Sequence, residues 1–281
     1  METVGEHPVP AGPLAVRWLG YELPPIRAGA TGRARVSFEN AGLAAWRTIR
    51  LSYHWLDDRG NPIIWDGWRT DLPRLDPGAA TEQTLPFRSP RPPGRYRLAF
   101  DLVDEQRGWL SEVGNVAWEV PVDVHPRVER RALRARVGPG PGDAEATNRA
   151  LARQDEPLVG DEDESESVAH LVAGALPAPD WSRRVLDAHA EGFAAVGGAF
   201  EPVTNLRTRR WKETLRPWGL GDGRNPSFPR PLLLPSLLDE LEPSEHLGLP
   251  AYKPDRDLPA DLTEPWLYDA RIRIRLDVTG R

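Results

Sequence analysis

The chain contains no cysteine among its 281 residues, and this absence removes several kinds of chemistry. Disulfide bridges, thiolate metal sites and cysteine nucleophiles are all excluded. No apolar run approaches the roughly 18 residues that a membrane-spanning helix needs. Residues 1–7 are acidic and lack an apolar stretch, so no secretory signal is expected. These absences predict a cytoplasmic protein without a transmembrane segment.

Concentrated positive charge and metal-binding clusters are also lacking. The formal net charge is −6, and this mild acidity argues against a nucleic-acid partner, which requires a concentrated basic face. The six histidines are scattered, so we predict no metal site and no cofactor. No serine lies in a G-x-S-x-G motif, and the carboxylates are too numerous for spacing to select a catalytic pair, although Glu213 and Asp222 are the best candidates. The catalytic residues, if there are any, stay unassigned.

Apolar residues alternate in short runs before residue 125, where no run has helical spacing. In residues 33–39 and 51–55, for example, every second side chain is apolar. Such alternation places one side of a strand on a core and the other side in water. Turn sequences such as residues 57–62 separate the runs. About seven or eight strands in roughly 110 residues predict an all-β immunoglobulin-like sandwich over residues 1–125.

One segment within this region resembles a known motif. Phe38, Asn40, Gly42 and Trp46 follow a strand-like run, and Asn and Gly tolerate the left-handed backbone that a chain reversal needs. The spacing resembles the W-x-N-x-G-x-x-x-W signature of immunoglobulin-like domains of the four-tryptophan type, with Phe38 in place of the first tryptophan. The resemblance spans residues 14–125. It implies an interaction module, which is the role of this family in autophagy receptors and in many bacterial proteins.

Tryptophans are concentrated in the same part of the chain, where seven of the eleven precede residue 120. Four of them are expected in the core, namely Trp18, Trp46, Trp55 and Trp118. Trp65 and Trp68 are three residues apart, so on a strand they point to opposite faces unless a bulge intervenes at Gly67. One of these two rings is therefore expected to be exposed.

An exposed tryptophan offers an apolar ring face on which the C–H groups of a pyranose can pack. The residue pattern from Tyr53 to Trp68, without a defined motif, resembles that of the sandwich modules attached to bacterial cell-surface polysaccharide enzymes. We predict a ligand-binding surface made of Trp65, Asp66, Trp68, Arg69 and Trp109. The alternative is that these tryptophans belong to the core, where each ring buries on the order of 200 Å².

Residues 126–167 have the composition of a disordered linker. Five arginines fall within residues 127–136, a Gly-Pro run follows at 138–142, and an acidic run occupies 161–166. Such a stretch has too little apolar surface to offset the entropy of ordering it, although a short helix fits residues 144–153. The arginines would either bind an anionic partner or belong to a solvated tether. The nearby acidic run favours the tether.

Residues 168–281 have a different residue pattern, which predicts a small, irregular α+β region. Asp180 or Ser182 is suited to begin a helix. Three side chains at a spacing of four share one face of that helix, namely Val185, His189 and Phe193. This spacing places His189 in the core, and the glycines of residues 196–198 are expected to stop the helix. Alternating apolar residues predict a strand over residues 266–276.

A second candidate site lies in this region, where basic residues precede a glycine-rich loop. The loop covers residues 219–226, and its glycines would let backbone N–H groups approach an anion. The candidate anion-binding residues are Arg207, Arg209, Arg210, Lys212, Gly221, Gly223 and Arg224. The loop has neither a Walker A nor a dinucleotide-binding motif. The alternatives are an ordered turn and a strand edge protected by charge.

Residues 195–200 resemble the V-G-G segment of family 2 glycosyltransferases, in which a strand runs beside the donor site. The nucleotide-binding strand and the metal site of those enzymes have no counterpart in this sequence. The resemblance therefore implies a fragment or an accessory part.

Three functional hypotheses follow. The leading one is a non-catalytic binding or accessory protein whose sandwich recognises a glycan or a protein partner, in cell-surface polysaccharide assembly. The second is a sugar-transfer or hydrolytic enzyme, or a glycosyltransferase-like fragment, with its site in residues 207–224. The third is a structural adaptor between proteins.

Overall fold

The computed structural model describes residues 2–3, 12–138, 142–160, 167–193, 195–202, 227–229, 241–246, 249–254 and 266–276. Contacts divide the chain into two units, Met1–His125 and Pro126–Arg281. The boundary coincides with the residue at which the sequence predicts the end of the sandwich. Within the described ranges, no helix is long and apolar enough to cross a membrane.

The first unit consists of strands and one 3₁₀ turn, Leu110–Val113, over its described residues. The strands are β1 (Glu2–Thr3), β2 (Val16–Glu22), β3 (Ile26–Arg27), β4 (Thr31–Asn40), β5 (Ile49–Asp57), β6 (Pro62–Ile64), β7 (Thr70–Asp71), β8 (Ala80–Arg88), β9 (Gly94–Asp104), β10 (Gly108–Trp109) and β11 (Trp118–His125). One sheet has the order β1-β2-β4-β8, and the other has the order β3-β11-β9-β5-β6. β7 pairs with β5, and β10 pairs with β9.

Both sheets turn apolar side chains towards one core. In β11 every second residue from Trp118 to Val124 is buried, and the residues between them are exposed. Aromatic rings make up much of the core, and they include Trp18, Phe38, Trp46, Tyr53, Trp55, Phe87, Phe100 and Trp118. The four tryptophans predicted as core residues are therefore all buried. Two sheets packed on one shared core form a β-sandwich.

The segment from Phe38 to Trp46 reverses the chain after β4. Phe38 and Trp46 stack in the core with ring centroids 6.3 Å apart. Between them, the buried Asn40 amide donates to two backbone carbonyls at 2.9 Å each, and its oxygen accepts the N–H of Gly42 at 3.0 Å. A Cβ atom at Gly42 would overlap the backbone of Pro13. The asparagine therefore organises the reversal, and the glycine allows the chain to approach closely.

The second unit contains two helices and several short strands in its described residues. They are β12 (Leu133–Gly138), α1 (Ala144–Leu151), β13 (Ser167–Val172), β14 (Ala175–Pro177), α2 (Trp181–Glu191), β15 (Ala195–Pro202), β16 (Ser227–Pro229), β17 (Leu241–His246), β18 (Leu249–Pro254) and β19 (Trp266–Leu276). One sheet has the order β12-β13-β16-β15-β19-β14, and β17 pairs with β18. The strand predicted at the end of the chain is observed as β19.

The prediction of a disordered linker over residues 126–167 is wrong for the described part of that segment. β12 pairs in parallel with β13, and Leu133 is fully buried. Arg127 is also buried, and its Nη1 donates to the carbonyl of Gly192 at 3.0 Å. Composition misled because it does not show that an arginine can be buried and donate to a backbone carbonyl. The short helix is present as α1, and residues 161–166 lie outside the described residues.

Helix α2 begins where the sequence predicts but ends earlier. The Asp180 carboxylate precedes its first residue and pairs with Arg184 at 2.6 Å, without a capping hydrogen bond from its side chain. The helix ends at Gly192, whose φ of 116° is a left-handed conformation that favours glycine. The predicted stop at residues 196–198 is therefore wrong, and these residues belong to β15 instead.

His189 is fully buried, as its helical spacing predicts. Its Nδ1–H donates to the carbonyl of Phe193 at 2.9 Å. Burial lowers the pKa of His189 from 6.5 to about 4, and the positive charge of Arg127 acts in the same direction. The imidazole is therefore neutral at pH 7 and serves the packing of α2.

Candidate functional site

The two sides of β5 have different surroundings. Tyr53 and Trp55 point into the core, as their alternation predicts. Alternation also predicts Ser52 and His54 in water, but both are buried. An irregular segment that follows β6 covers them: the Ser52 hydroxyl donates to the carbonyl of Gly67 at 3.2 Å. The outer side of this sheet is therefore a second, more polar packing layer.

Gly67 holds this covering segment close to β5. Its N–H donates to the carbonyl of Tyr53 at 3.1 Å. A Cβ atom at this position would overlap that carbonyl and would lie 2.7 Å from the Tyr53 ring. Only glycine allows this approach, and the segment then places Trp65 and Trp68 in different surroundings.

Trp65 lies over the buried His54. The two rings stack with centroids 4.0 Å apart and an angle of 18° between their planes. Trp109 meets the Trp65 ring in an edge-on arrangement at 6.4 Å. Trp65 is nevertheless 44% exposed. Since the stacked imidazole covers one face of the indole, the exposure belongs largely to the opposite face.

One guanidinium and two carboxylates lie beside Trp65. Arg69 pairs through Nη2 with Asp66 at 2.7 Å and through Nε with Glu105 at 2.7 Å. Its guanidinium also lies 5.4 Å from the Trp109 ring centroid, in cation–π range. Asp66 is well exposed and Arg69 is partly exposed. We refer to Trp65, Asp66 and Arg69 together as the Trp65 surface.

Trp68 belongs to a different part of the molecule. Its ring carries the guanidinium of Arg88, a residue of β8 in the other sheet, at 5.4 Å. The backbone N–H of Arg88 donates to the hydroxyl of Tyr53 at 3.0 Å, and burial raises the pKa of that phenol. Trp68 is 41% exposed, about as much as Trp65. The two tryptophans thus have separate partners. They lie on a segment without strand structure, and both are exposed, where the sequence predicted one exposed ring on a strand.

Trp109 does not take the position that the sequence predicts for a ligand contact. It is 7% exposed, because β10 pairs with β9 and the ring packs beside His54 and below the Arg69 guanidinium. Its role is to support the Trp65 surface from inside. Sequence reasoning did not select His54 or Glu105, which also support this surface. The period-two pattern misdirected it, since it places His54 in water.

The second candidate site, the anion-binding residues predicted at 207–224, lies outside the described residues, and so do Glu213 and Asp222. In the part of the chain that the structure describes, no group of three or more His, Asp or Glu side chains is arranged to hold a metal ion.

An open cleft is lined by residues 21–26, 121–123 and 125. It lies beside β3 and β11, at the opposite edge of the sheet from β6.

Residues 195–200, which resemble the V-G-G segment of family 2 glycosyltransferases, do form a strand. It is part of β15, which pairs with β19 in parallel and with β16 in antiparallel orientation. A strand alone carries no catalytic group, so this placement assigns no activity.

Comparison with known proteins adds little to this geometry. No protein-family model and no curated protein matches the chain. The C-terminal domain of wzt is 10% identical, with a TM-score of 0.30 over 40% of this chain and 75% of that chain. The β-glucosidase 3B from Thermotoga neapolitana is 15% identical, with a TM-score of 0.27 over 40% of this chain and 16% of that chain.

A putative ApaA protein from Bordetella pertussis is 22% identical, with a TM-score of 0.22 over 42% of this chain and all of that chain. The matched part spans a small share of the glucosidase and most or all of the other two proteins. Similarity at this level carries no conclusion about activity, and the chain is not assigned to a family.

Proposed function

We propose that the first unit is a non-catalytic binding module that recognises an uncharged glycan through the Trp65 surface. The proposal rests on one observation, the exposure and stacking of the Trp65 indole ring. Trp65 has one face stacked on a buried imidazole and is 44% exposed, whereas the core tryptophans of the same unit are buried. Half-exposed rings on a rigid base are what a flat, partly apolar ligand requires.

An immunoglobulin-like topology is part of this proposal. β2, β4 and β8 lie in one sheet, and β11, β9 and β5 lie in the other. This order corresponds to the A-B-E and G-F-C strands of immunoglobulin domains. The short β3 pairs in parallel with β11, so the chain switches sheets between β2 and β3. The Asn40 turn supports the four-tryptophan type within this class.

The chemistry of the Trp65 surface suits a sugar ring. The outer face of the indole can pack against the C–H groups of a pyranose. Asp66 supplies carboxylate acceptors and Arg69 supplies N–H donors at the edge of the ring, and hydroxyl groups pair with both. A small apolar surface beside a few polar groups is the usual composition of a binding site for small ligands.

The charge balance favours an uncharged ligand. The Arg69 guanidinium lies between the carboxylates of Asp66 and Glu105, each 2.7 Å away. Its positive charge is therefore already matched. An acidic sugar would have to compete with two carboxylates, whereas a neutral hydroxyl can share the remaining donors and acceptors.

A folded protein partner is a weaker fit, because specific protein interfaces bury about 800 Å² on each side. One half-exposed indole with two charged neighbours is much smaller than that. A role in cell-surface polysaccharide assembly and a cytoplasmic location stay predictions of the sequence.

The proposal is tested by affinity electrophoresis of the full chain through gels that contain a neutral polysaccharide, with a separate gel for each glucan, mannan or galactan. A uronic-acid polymer serves as the acidic comparison. We expect retardation in at least one neutral gel and none in the acidic gel. Trp65→Ala should weaken retardation at least about tenfold, which corresponds to about 1.4 kcal/mol. Trp68→Ala is the matched control and should be retarded like the natural chain.

Two results would overturn the proposal. One is free migration of the natural chain through every neutral gel. The other is equal retardation of the Trp65→Ala variant and the natural chain. Binding lost only in Trp68→Ala would assign recognition to the Trp68–Arg88 pair instead.

A further inference from the structure

The polar groups beside Trp65 continue as a row along the outer side of β5. Because side chains alternate along a strand, Arg50 projects to the same side as Ser52 and His54. The covering segment runs antiparallel to β5 and leads into β7. At one end Trp65 stacks on His54, and at the other end Asp71 is paired in register with Arg50. The segment therefore places side chains along the whole outer side of this strand.

Ion pairs join the charged side chains of this side in sequence. Arg69 pairs with Asp66 and with Glu105 at 2.7 Å each. Oε1 of Glu105 also lies 3.3 Å from Nη1 of Arg50, whose Nε lies 2.7 Å from Oδ1 of Asp71. We call these side chains the polar row, in the order Asp66, Arg69, Glu105, Arg50 and Asp71. The polar row begins beside the exposed indole and ends at β7.

The far end of the polar row is open to water. The Arg50 side chain is 43% exposed, and that of Asp71 is 83% exposed. Ion pairs between exposed side chains contribute little to stability, so ligand hydroxyl groups can share or replace them at little cost. A guanidinium also carries several N–H groups, and the pairs of Arg50 involve only Nε and Nη1. Donors and acceptors are therefore accessible at this end.

The polar row is longer than one sugar. A strand rises about 3.3 Å per residue, so the stretch of β5 from Arg50 to His54 spans about 13 Å. The exposed indole lies over His54, at one end of this stretch. A pyranose is a single ring, smaller than the indole that it would cover, so a monosaccharide on Trp65 does not reach Arg50. Only a chain of linked sugars contacts both ends.

We propose that the polar row extends the Trp65 surface, so that the ligand is a linear neutral oligosaccharide of at least three units that lies along β5. One sugar packs on the indole of Trp65, the next meets Arg69 and Glu105, and the third meets Arg50 and Asp71. Recognition of the longer chain rests on the proposed function, because the first unit binds at the Trp65 surface. The third position, at Arg50 and Asp71, determines the length of chain that is selected.

The charges of the polar row suit a neutral chain along its whole length. The row contains three carboxylates and two guanidiniums, and the two kinds of group alternate. A sugar hydroxyl both donates and accepts, so successive hydroxyl groups can pair with successive members of the row. The excess of carboxylates disfavours a polymer of acidic sugars.

The test is isothermal titration calorimetry of the full chain with neutral oligosaccharides of two and of five units, from the glucan, mannan and galactan series. A two-unit oligomer fills the first two positions, and a five-unit oligomer also reaches the third. We expect the five-unit oligomer of at least one series to bind at least about tenfold more tightly than the two-unit oligomer. In Arg50→Ala this ratio should fall towards one, and the affinity for the two-unit oligomer should stay unchanged.

Two further variants make the test specific. Asp71→Ala removes an exposed side chain of the third position and should also weaken only the five-unit oligomer, so it decides the matter if Arg50→Ala fails to fold. Arg17→Ala is the matched control. It breaks an exposed ion pair with Glu39 in the other sheet, at 2.9 Å, and should bind every oligomer like the natural chain.

Equal affinity of the natural chain for the two-unit and five-unit oligomers would overturn the extended site. So would an equal loss for both oligomers in Arg50→Ala, since a residue that only holds the covering segment in place would weaken both alike. In either case the two-unit oligomer still binds to the natural chain, so the proposed function stands. Absence of binding by every oligomer, together with free migration in every neutral gel, would remove the proposed function and the extended site with it.

Discussion

The inner and outer sides of β5 are both buried, but different forces bury them. On the inner side, Tyr53 and Trp55 pack among aromatic rings of the two sheets. On the outer side, Ser52 and His54 are covered by an irregular segment and bonded to its backbone carbonyls. The inner side is a hydrophobic core, and its role is stability. The outer side is a polar layer that fixes the position of one exposed indole.

This difference separates residues that hold the fold from residues that shape its surface. Trp55 and Trp65 are ten residues apart in sequence and lie on opposite sides of the same sheet. Replacing the first should cost mainly stability, and replacing the second should cost binding with a smaller loss of stability.

The largest effect is expected for Trp55→Ala. The ring is fully buried, and its Nε1–H donates to the carbonyl of Arg88 at 2.9 Å. Loss of a buried aromatic side chain costs about 3–5 kcal/mol in the free energy of unfolding. Urea denaturation followed by circular dichroism measures this loss. Trp65→Ala is the matched control and should cost roughly half as much, about 2 kcal/mol, since nearly half of its ring is already in water. Equal losses in the free energy of unfolding would contradict the distinction between the two sides of β5.

The second prediction concerns His189, a buried histidine of the second unit. His189 is neutral in the folded chain, with a pKa that burial lowers to about 4 from 6.5. When the pKa of a histidine is lower in the folded chain than in the unfolded chain, the fold has its full stability above the unfolded-state pKa. The free energy of unfolding then falls as the pH falls towards the folded-state pKa. The second unit should therefore lose up to about 3 kcal/mol as the pH falls from about 6.5 to about 4, at about 1.4 kcal/mol per pKa unit.

This loss is measured by hydrogen exchange of the α2 amides under native conditions, with His189→Gln as the control. The variant keeps a donor for the Phe193 carbonyl but does not titrate. The difference in protection between the variant and the natural chain should grow over this pH range. A constant difference would show that His189 is not the group responsible.

The third prediction tests the covering segment itself. In Gly67→Ala the new Cβ would overlap the Tyr53 carbonyl, so the segment must move away from β5. Overpacking of this kind costs about 1–3 kcal/mol. In a chain labelled with 5-fluorotryptophan, the ¹⁹F resonance of Trp65 should shift in this variant, and the resonance of Trp55 on the inner side should not. Unchanged spectra and unchanged stability would mean that Gly67 does not hold the segment in place.

Much of the inner side was predictable from sequence, and most of the outer side was not. Alternation identified Trp18, Trp55 and Trp118 as core residues, because a strand that faces one core repeats every second residue, and the Asn-Gly turn pattern identified Trp46. The same rule failed for His54. Its burial depends on a segment without regular structure, whose path is set by close packing of Gly67 on Tyr53. No local pattern in the sequence encodes such a contact.

The candidate site shows the same division. Sequence selected Trp65, Asp66 and Arg69, which the structure brings together, because short-range neighbours tend to stay neighbours in a turn. It grouped Trp68 and Trp109 with them. Trp68 instead pairs with Arg88 of the other sheet, and Trp109 is buried. Arginine-rich composition after residue 126 predicted disorder, but Arg127 is buried and donates to the Gly192 carbonyl, and β12 pairs with β13 in that segment.

The smallest effect on stability is expected for Asp66→Ala. The carboxylate is largely exposed, and its pair with Arg69 is a surface ion pair. Such pairs contribute about 0–1 kcal/mol, so the urea midpoint should hardly move. Retardation in the neutral polysaccharide gel should weaken severalfold, because an acceptor beside the indole is lost. A large loss of stability would mean that Asp66 belongs to the structural layer and not to the binding surface.

The most direct test of the account follows the ¹⁹F resonances of the full chain while the polysaccharide that retards it in gels is added. Ligand on the exposed indole face should shift the Trp65 resonance and leave those of Trp55 and Trp68 unchanged. A Trp65 resonance that stays in place while the ligand is bound would contradict the assignment of the Trp65 surface as the binding site.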